Sequence, residues 1–219
     1  MKKIAITMRQ NTYGSYLELV SSISDNWIDF FNLIGFMPVL VHNNIEDPVN
    51  FFKDNDCSGL LLSNGNTPEI NVINDIPKGT KRDIVEYKLL TYCVSKSLPV
   101  LGVCRGHQFI NLYFGGSIEE VNSHVAVKHN LNILGQKYLQ LFNSSVINRN
   151  SYHNFAVPIS GIAQEMTPWA VIHGVVEGMS HVIYPILTIQ WHPERSTQSS
   201  DNDIDILMIK NHFLGKYED

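Results

Sequence analysis

The chain has 219 residues, of which 44% are hydrophobic and 17% charged, and its formal net charge is -5. This length and composition favour one folded domain over residues 1–219 and argue against a disordered chain. The acidic balance also argues against a nucleic-acid-binding protein, because phosphate contacts need clustered Lys and Arg. No apolar run suits a signal peptide or a membrane span, so we expect a cytoplasmic protein that binds no membrane.

Short apolar runs alternate with longer amphipathic stretches in the first half of the chain. The predicted elements there are strands at 3–8, 37–41, 56–62 and 98–103, and helices at 15–33, 81–96 and 105–114. The second half is richer in strands, predicted near 125–131, 146–148, 170–176 and 186–190, before a last helix at 203–214. This alternation predicts an α/β fold with an open, mostly parallel central sheet flanked by helices. A functional site is then expected at the carboxyl ends of the strands.

The segment 101–108, Leu-Gly-Val-Cys-Arg-Gly-His-Gln, takes an apolar strand directly into a helix. Gly102 and Gly106 flank Cys104 in the G-x-C-x-G pattern of a nucleophile elbow, a tight turn in which larger side chains would collide with neighbouring backbone. The unpaired N–H groups at the start of the helix favour a thiolate. Cys104 is therefore the candidate nucleophile, and a small buried cysteine is the alternative. Cys57 and Cys93 lack this context, and the three cysteines show neither metal-binding spacing nor a disulfide framework.

A candidate base follows the strand predicted at 186–190. His192 comes directly after this strand, and Glu194 lies two residues further on. A carboxylate so placed can accept a hydrogen bond from the imidazole nitrogen that does not face the nucleophile, which fixes the orientation of the ring. By itself the His-Pro-Glu tripeptide fits a surface turn equally well.

Acyl transfer also needs backbone N–H groups that bind the developing oxyanion. The amide of Arg105 comes with the elbow. A second could come from Gly65, in the turn-forming segment 62–68, where a glycine would let the backbone approach a substrate closely. This segment alone also fits a plain turn between a strand and a helix.

Together and in this order, these motifs resemble the class I glutamine amidotransferase-like γ-glutamyl hydrolases of the peptidase C26 family. The resemblance spans nearly the whole chain. Further matching segments are Arg82-Asp83 with Glu86, Asn111 with Gly115-Gly116-Ser117, and Asn150-Ser151-Tyr152-His153. Within the family, the chain looks most similar to the short bacterial γ-glutamyl-CDP-amidate hydrolases of capsule phosphoramidate synthesis. The resemblance implies a flavodoxin-like fold and a small-molecule γ-glutamyl substrate, with no metal or organic cofactor.

The resemblance also implies roles for individual residues. Cys104 would be the nucleophile, His192 the base and later the acid, and Glu194 the residue that orients His192. Gly65 and Arg105 would supply the oxyanion amides, and Gln108 would bind the glutamyl group. The other candidate substrate-binding residues are Arg9, Asn66, Ser151, Tyr152 and His153.

The chain departs from the family pattern at three places that contact substrate in relatives. Residues 63–67 replace Pro-Gly-Gly-x-Asp, Asn154 and Phe155 replace His-Gln, and His173 replaces the Asp of Asp-Gly-Val-x-Glu. The leaving group is therefore open: CDP-amidate, the ammonia of a glutaminase subunit that serves a partner synthetase, or an aminobutyrate or polyamine. An inactive binding module is disfavoured, because the nucleophile, base and carboxylate are all present.

Overall fold

The structure is a computed structural model that describes residues 1–73, 76–195 and 203–216. Its helices and strands are β1 Lys3–Thr7, β2 Arg9–Tyr13, β3 Glu18–Ser22, α1 Asp25–Ile34, β4 Met37–Val41, α2 Pro48–Asp54, β5 Cys57–Leu62, β6 Asn71–Ile73, β7 Ile76–Lys78, α3 Lys81–Ser95, β8 Val100–Val103, α4 Arg105–Tyr113, β9 Glu119–Glu120, β10 Val125–Ile133, α5 Gln136–Phe142, β11 Val146–Tyr152, β12 Phe155–Pro158, β13 Met166–Ile172, β14 Val175–His181, β15 Ile186–Ile189 and α6 Asp203–Leu214. Within the three described ranges, no helix is both long and apolar enough to cross a membrane.

One large sheet organises the molecule, with the strand order β11-β10-β13-β14-β15-β8-β5-β1-β4. The strands from β15 to β4 are parallel. The strands from β11 to β15 are antiparallel and extend the sheet on one side, where β12 also pairs with β14. The predicted α/β fold, with a parallel central sheet flanked by helices, is confirmed. The strand-rich second half of the chain forms the antiparallel extension.

The parallel strands bury both of their faces. Successive residues of a strand point to opposite faces, so Ile4 and Ile6 of β1 join the core under α1 and α6. Ala5, between them, joins the core under α2, α3 and α4. Burial on both faces explains why these strands read as continuous apolar runs in the sequence.

Two predicted elements are wrong in part. Residues 15–22 do not begin a helix, because β2 and β3 form a hairpin whose turn contains Gly14 at φ 69° and Leu17 at φ 57°. The helix begins only at Asp25. Of the two apolar residues that suggest an earlier start, Leu19 lies on β3 and Ile23 lies between β3 and the helix. The strand predicted at 170–176 covers a second turn, where His173 and Gly174 take φ values of 46° and 83° and separate β13 from β14.

Candidate active site

Cys104 lies between β8 and α4, at the carboxyl end of a central parallel strand. Its backbone angles, φ 53° and ψ -101°, are strained for a residue with a side chain, and the residue is only 6% exposed. A Cβ atom added to Gly106 would lie 2.1 Å from the carbonyl oxygen of Leu62, and one added to Gly102 would lie 2.7 Å from the carbonyl oxygen of Gly106. Both glycines are therefore needed for this backbone, which has the form expected of a nucleophile elbow.

His192 follows β15, the strand that pairs with β8, and lies in the same part of the sheet edge as Cys104. Its Nδ1 atom lies 2.7 Å from Oε1 of Glu194, and both side chains are buried. Because an ionised carboxylate can only accept, Nδ1 carries a proton and donates a hydrogen bond to Glu194. The other ring nitrogen, Nε2, is buried and is left for the hydrogen bond between His192 and the Cys104 side chain.

The protonation of His192 is set by opposing effects. Burial alone would lower the pKa of His192, but the negative charges of Cys104 and Glu194 outweigh burial and raise the pKa to about 9. The arrangement therefore favours an imidazolium at neutral pH. Such a ring beside a cysteine nucleophile carries a proton that is ready for a leaving group.

Asn150 fixes the backbone of His192. Its side-chain oxygen accepts from the His192 N–H at 2.9 Å, and its side-chain nitrogen donates to the His192 carbonyl at 2.8 Å. The preceding residue, Trp191, donates through Nε1 to Asp205 at 2.9 Å. Asp205 also accepts two hydrogen bonds from Arg149, at 2.8 and 2.9 Å. In the sequence, Asn150 is recognised only as part of a motif, and Asp205 is not recognised as part of the site. Asp205 lies on α6 and reaches the site through its hydrogen bond with Trp191.

The predicted oxyanion loop is held through its backbone. The guanidinium of Arg82 donates to the carbonyl of Ser63 at 2.7 Å and to that of Asn64 at 3.0 Å. The N–H and C=O of a trans peptide point in opposite directions, so the N–H of Gly65 points away from Arg82. A Cβ atom on Gly65 would lie 2.4 Å from Nη1 of Arg82, which explains the glycine. Gly65 itself is exposed.

A buried network of charges joins this loop to the nucleophile helix. The Arg105 guanidinium is paired with Asp83 and Glu86 of α3. Glu86 also accepts from Arg82 at 2.7 Å and from Thr7 at 2.7 Å. Burial alone would raise the pKa of Glu86, but the two arginines lower it and keep the carboxylate ionised. The side chain of Arg105 is thus buried and paired with two carboxylates, which leaves its backbone amide as the candidate group for a substrate.

Three other predicted substrate-binding residues lie beside Gly65 or beside His192. Arg9 lies against Gly65, since a Cβ atom on that glycine would come within 3.1 Å of the Arg9 Cβ. Asn66, the next residue of the loop, is exposed. The ring of Tyr152 packs edge-on against His192, with 5.7 Å between the ring centroids.

Three more predicted residues are buried and already make hydrogen bonds within the protein. Gln108 donates to the carbonyl of Phe155 at 2.6 Å, and Nδ1 of His153 lies 3.0 Å from the same oxygen. The hydroxyl of Ser151 donates to the carbonyl of His124 at 2.6 Å, so its one proton is used within the protein. His153 belongs to a group of donor atoms that could hold a metal ion, together with His124 and Glu177.

A cavity of about 670 Å³ lies away from these residues. Pro185, Ile186 and Leu187 line it, and they mark the amino end of β15, whereas His192 follows the carboxyl end of that strand. Ligands of open α/β sheets bind outside the carboxyl ends of the strands. The candidate site therefore lies at Cys104 and not in this cavity.

Comparisons with known proteins give the family and support the fold. The profile of the family described as Peptidase C26 matches residues 4–194. A gamma-glutamyl-CDP-amidate hydrolase from Campylobacter jejuni subsp. jejuni serotype O:2 is 28% identical over 208 residues, which are 93% of this chain and 94% of that protein. The carbamoyl phosphate synthase small chain of Pyrobaculum aerophilum is 32% identical over 152 residues, which are 67% of this chain and 38% of that protein. The crystal structure of a glutamine amidotransferase from Thermotoga maritima matches 98% of this chain and 85% of its own, with a TM-score of 0.62 and 12% identity, and supports the predicted fold.

Proposed function

Because the chain belongs to the peptidase C26 family, we propose that it is a cysteine-dependent hydrolase that cleaves a γ-glutamyl amide bond. The products are glutamate and the amine of the leaving group. The observation that carries this proposal is the meeting of Cys104, on a strained elbow, with a buried His192 whose pKa the neighbouring charges raise to about 9. Such an arrangement suits acyl transfer through a covalent intermediate.

In the first half of the proposed reaction, the Cys104 thiolate attacks the γ-carbonyl carbon of the substrate. The carbonyl oxygen takes up the displaced electron pair, and the amides of Gly65 and Arg105 stabilise its charge. The C–N bond then breaks as the His192 imidazolium protonates the leaving nitrogen. The amine departs, and a γ-glutamyl thioester remains on Cys104.

In the second half, His192 is neutral and acts as a base. It removes a proton from a water molecule, and the resulting hydroxide attacks the thioester carbonyl. The C–S bond breaks and leaves the Cys104 thiolate beside the His192 imidazolium, which restores the starting pair. Glu194 holds the ring in one orientation through both halves.

As substrate we propose γ-glutamyl-CDP-amidate, which would give glutamate and cytidine diphosphoramidate. The Campylobacter hydrolase of that name matches nearly the full length of both chains, which supports this choice. Arg9 and Asn66 beside Gly65 offer the donors that a diphosphate requires. The enzyme would then act in capsule polysaccharide biosynthesis, as the resemblance implies.

A substrate panel tests the proposal. Glutamate release should be measured for γ-glutamyl-CDP-amidate, glutamine, γ-glutamyl-aminobutyrate and a γ-glutamyl polyamine, and the values of kcat/KM compared. We expect the nucleotide substrate to exceed the others at least 10-fold. The matched variant Cys104→Ala should release no glutamate, and mass spectrometry of the wild type should detect a glutamyl adduct. Turnover by Cys104→Ala at the wild-type rate would refute the mechanism, and equal kcat/KM across the panel would refute only the substrate.

A second candidate is a glutaminase subunit that passes ammonia to a partner synthetase. The match to a carbamoyl phosphate synthase small chain favours it, although the matched segment covers only 38% of that protein. Such a subunit would use the same three residues. If glutamine proves the best substrate of the panel, and its hydrolysis rises when a synthetase is added, this second function replaces the first.

A further inference from the structure

Three buried side chains from distant parts of the chain meet beside the proposed active site. They are His124, just before β10, His153, between β11 and β12, and Glu177 of β14. They are 8%, 4% and 1% exposed, and one ligand atom from each lies within 4.8 Å of the other two. The proposed thioester chemistry uses none of these atoms.

Hydrogen bonding determines which atom of His153 faces Glu177. Nδ1 of His153 lies 3.0 Å from the carbonyl oxygen of Phe155. A carbonyl can only accept, so Nδ1 carries a proton. In a neutral ring, Nε2 then presents a lone pair, and this atom lies 3.2 Å from Oε1 of Glu177. Two acceptors at this distance repel each other unless a cation or an additional proton lies between them.

The same carboxylate oxygen faces a second imidazole. Nδ1 of His124 lies 3.7 Å from Oε1 of Glu177. These two atoms and Nε2 of His153 are all buried, and they contact one another without a hydrogen bond of regular geometry to any described residue. Buried polar atoms are normally paired by regular hydrogen bonds. Three that converge on one another without such bonds indicate a position for a bound species.

We propose that His124, His153 and Glu177 form a binding site for a divalent transition-metal ion of the zinc type. Zinc bonds to nitrogen and oxygen ligands are roughly 2.0 to 2.2 Å long, which in a tetrahedral site places ligand atoms about 3.3 Å apart. The distances from Glu177 to the two histidines, 3.2 and 3.7 Å, are close to this value. Two imidazoles and one carboxylate leave a fourth position for water or another ligand.

The surroundings of His153 are also those of a metal ligand. Histidines that bind metals usually donate their other N–H to a carbonyl or carboxylate, as Nδ1 of His153 does to Phe155. The Phe155 carbonyl also accepts from Gln108, the predicted glutamyl-binding residue, at 2.6 Å. The ion would thus join the segments that carry its three ligands, and two hydrogen bonds through the Phe155 carbonyl would connect its ligand His153 to Gln108.

Metal binding can be measured without enzyme activity. The full chain should be prepared as Cys104→Ala, so that the nucleophile cannot act as a ligand, and then freed of metal with a chelator. Zn²⁺ is titrated by calorimetry, and Co²⁺ is followed by its visible absorption. Glu177→Gln and His153→Asn are then added separately to this background. The matched control is His173→Asn, which alters an exposed histidine on the turn before β14.

We expect Cys104→Ala to bind one equivalent of either ion and to gain thermal stability with Zn²⁺. Glu177→Gln and His153→Asn should each bind at least 100-fold more weakly, whereas His173→Asn should bind as the background protein does. Circular dichroism and the Tm without metal show whether each variant is folded. Because two variants are tested, the experiment still decides if one of them does not fold. The proposal is overturned if the background protein binds no ion saturably, or if folded Glu177→Gln and His153→Asn bind as tightly as it does. Either result leaves the γ-glutamyl hydrolase proposal untouched.

Discussion

The charge state of His192 predicts an alkaline limit for the proposed reaction. Its pKa of about 9 keeps the ring protonated at neutral pH, ready to protonate the leaving nitrogen. As pH rises through about 9 the ring loses this proton, so kcat/KM for a γ-glutamyl amide should fall. The rise of the pKa from 6.5 to about 9 corresponds to about 3 kcal/mol in favour of the imidazolium, at 1.36 kcal/mol per pKa unit.

Glu194→Gln tests the origin of this limit. The substitution removes a negative charge whose oxygen lies 2.7 Å from Nδ1 of His192. The pKa of His192 should fall by on the order of one unit, about 1.4 kcal/mol, and the decline in kcat/KM should move to lower pH by the same amount. The assay is the pH profile of kcat/KM, which reports groups of the free enzyme.

A γ-glutamyl thioester serves as the control substrate. Its leaving group departs as a thiolate and needs no proton, so its kcat/KM should decline much less above the pKa of His192. The reasoning fails if the amide profile of the wild type declines near pH 6.5, the ordinary pKa of histidine, or if Glu194→Gln leaves the decline where it was.

Three further substitutions test the structure around the site. Gly106→Ala places a methyl group 2.1 Å from a carbonyl oxygen and should lower kcat/KM at least 100-fold. Gly135→Ala meets no heavy atom within 4 Å but strains a backbone at φ 78°, so it should lower stability and keep the wild-type kcat/KM. Asn150→Ala removes both hydrogen bonds to the His192 backbone and should lower kcat about 10-fold at nearly constant KM, while Asn148→Ala on the same strand should change neither. Asp205→Asn leaves a buried arginine without its carboxylate and should lower the free energy of unfolding, measured with denaturant, by about 3 kcal/mol. An unchanged denaturation midpoint would contradict the last of these.

The elbow and the base could be predicted because their patterns are local. Glycines on either side of Cys104, between an apolar strand and a helix, impose a turn that few other arrangements permit. His192 and Glu194 are two residues apart and follow another apolar strand. The carboxyl ends of parallel strands meet at one edge of the sheet, so the fold class alone brings these segments together.

The contacts that support the site could not be predicted in this way. Asp205 connects to His192 through an intervening tryptophan, and nothing near residue 205 in the sequence indicates it. His124, His153 and Glu177 meet only because antiparallel strands bring distant segments together. The hairpin before α1 was missed for a different reason, since its apolar residues also fit a helical period.

The contacts of Arg82 with Ser63 and Asn64 help to explain how this loop keeps its position although it lacks the Pro-Gly-Gly sequence of the family. The arginine binds carbonyl oxygens, which every amino acid carries. Two side chains of this chain hold the same loop, since Ser63 Oγ donates to the Thr7 carbonyl at 2.6 Å and Asn64 Oδ1 accepts from Trp27 Nε1 at 3.0 Å. A Pro-Gly-Gly sequence is then not required to position the loop, because the backbone contacts with Arg82 and the side-chain contacts of Ser63 and Asn64 fix it together.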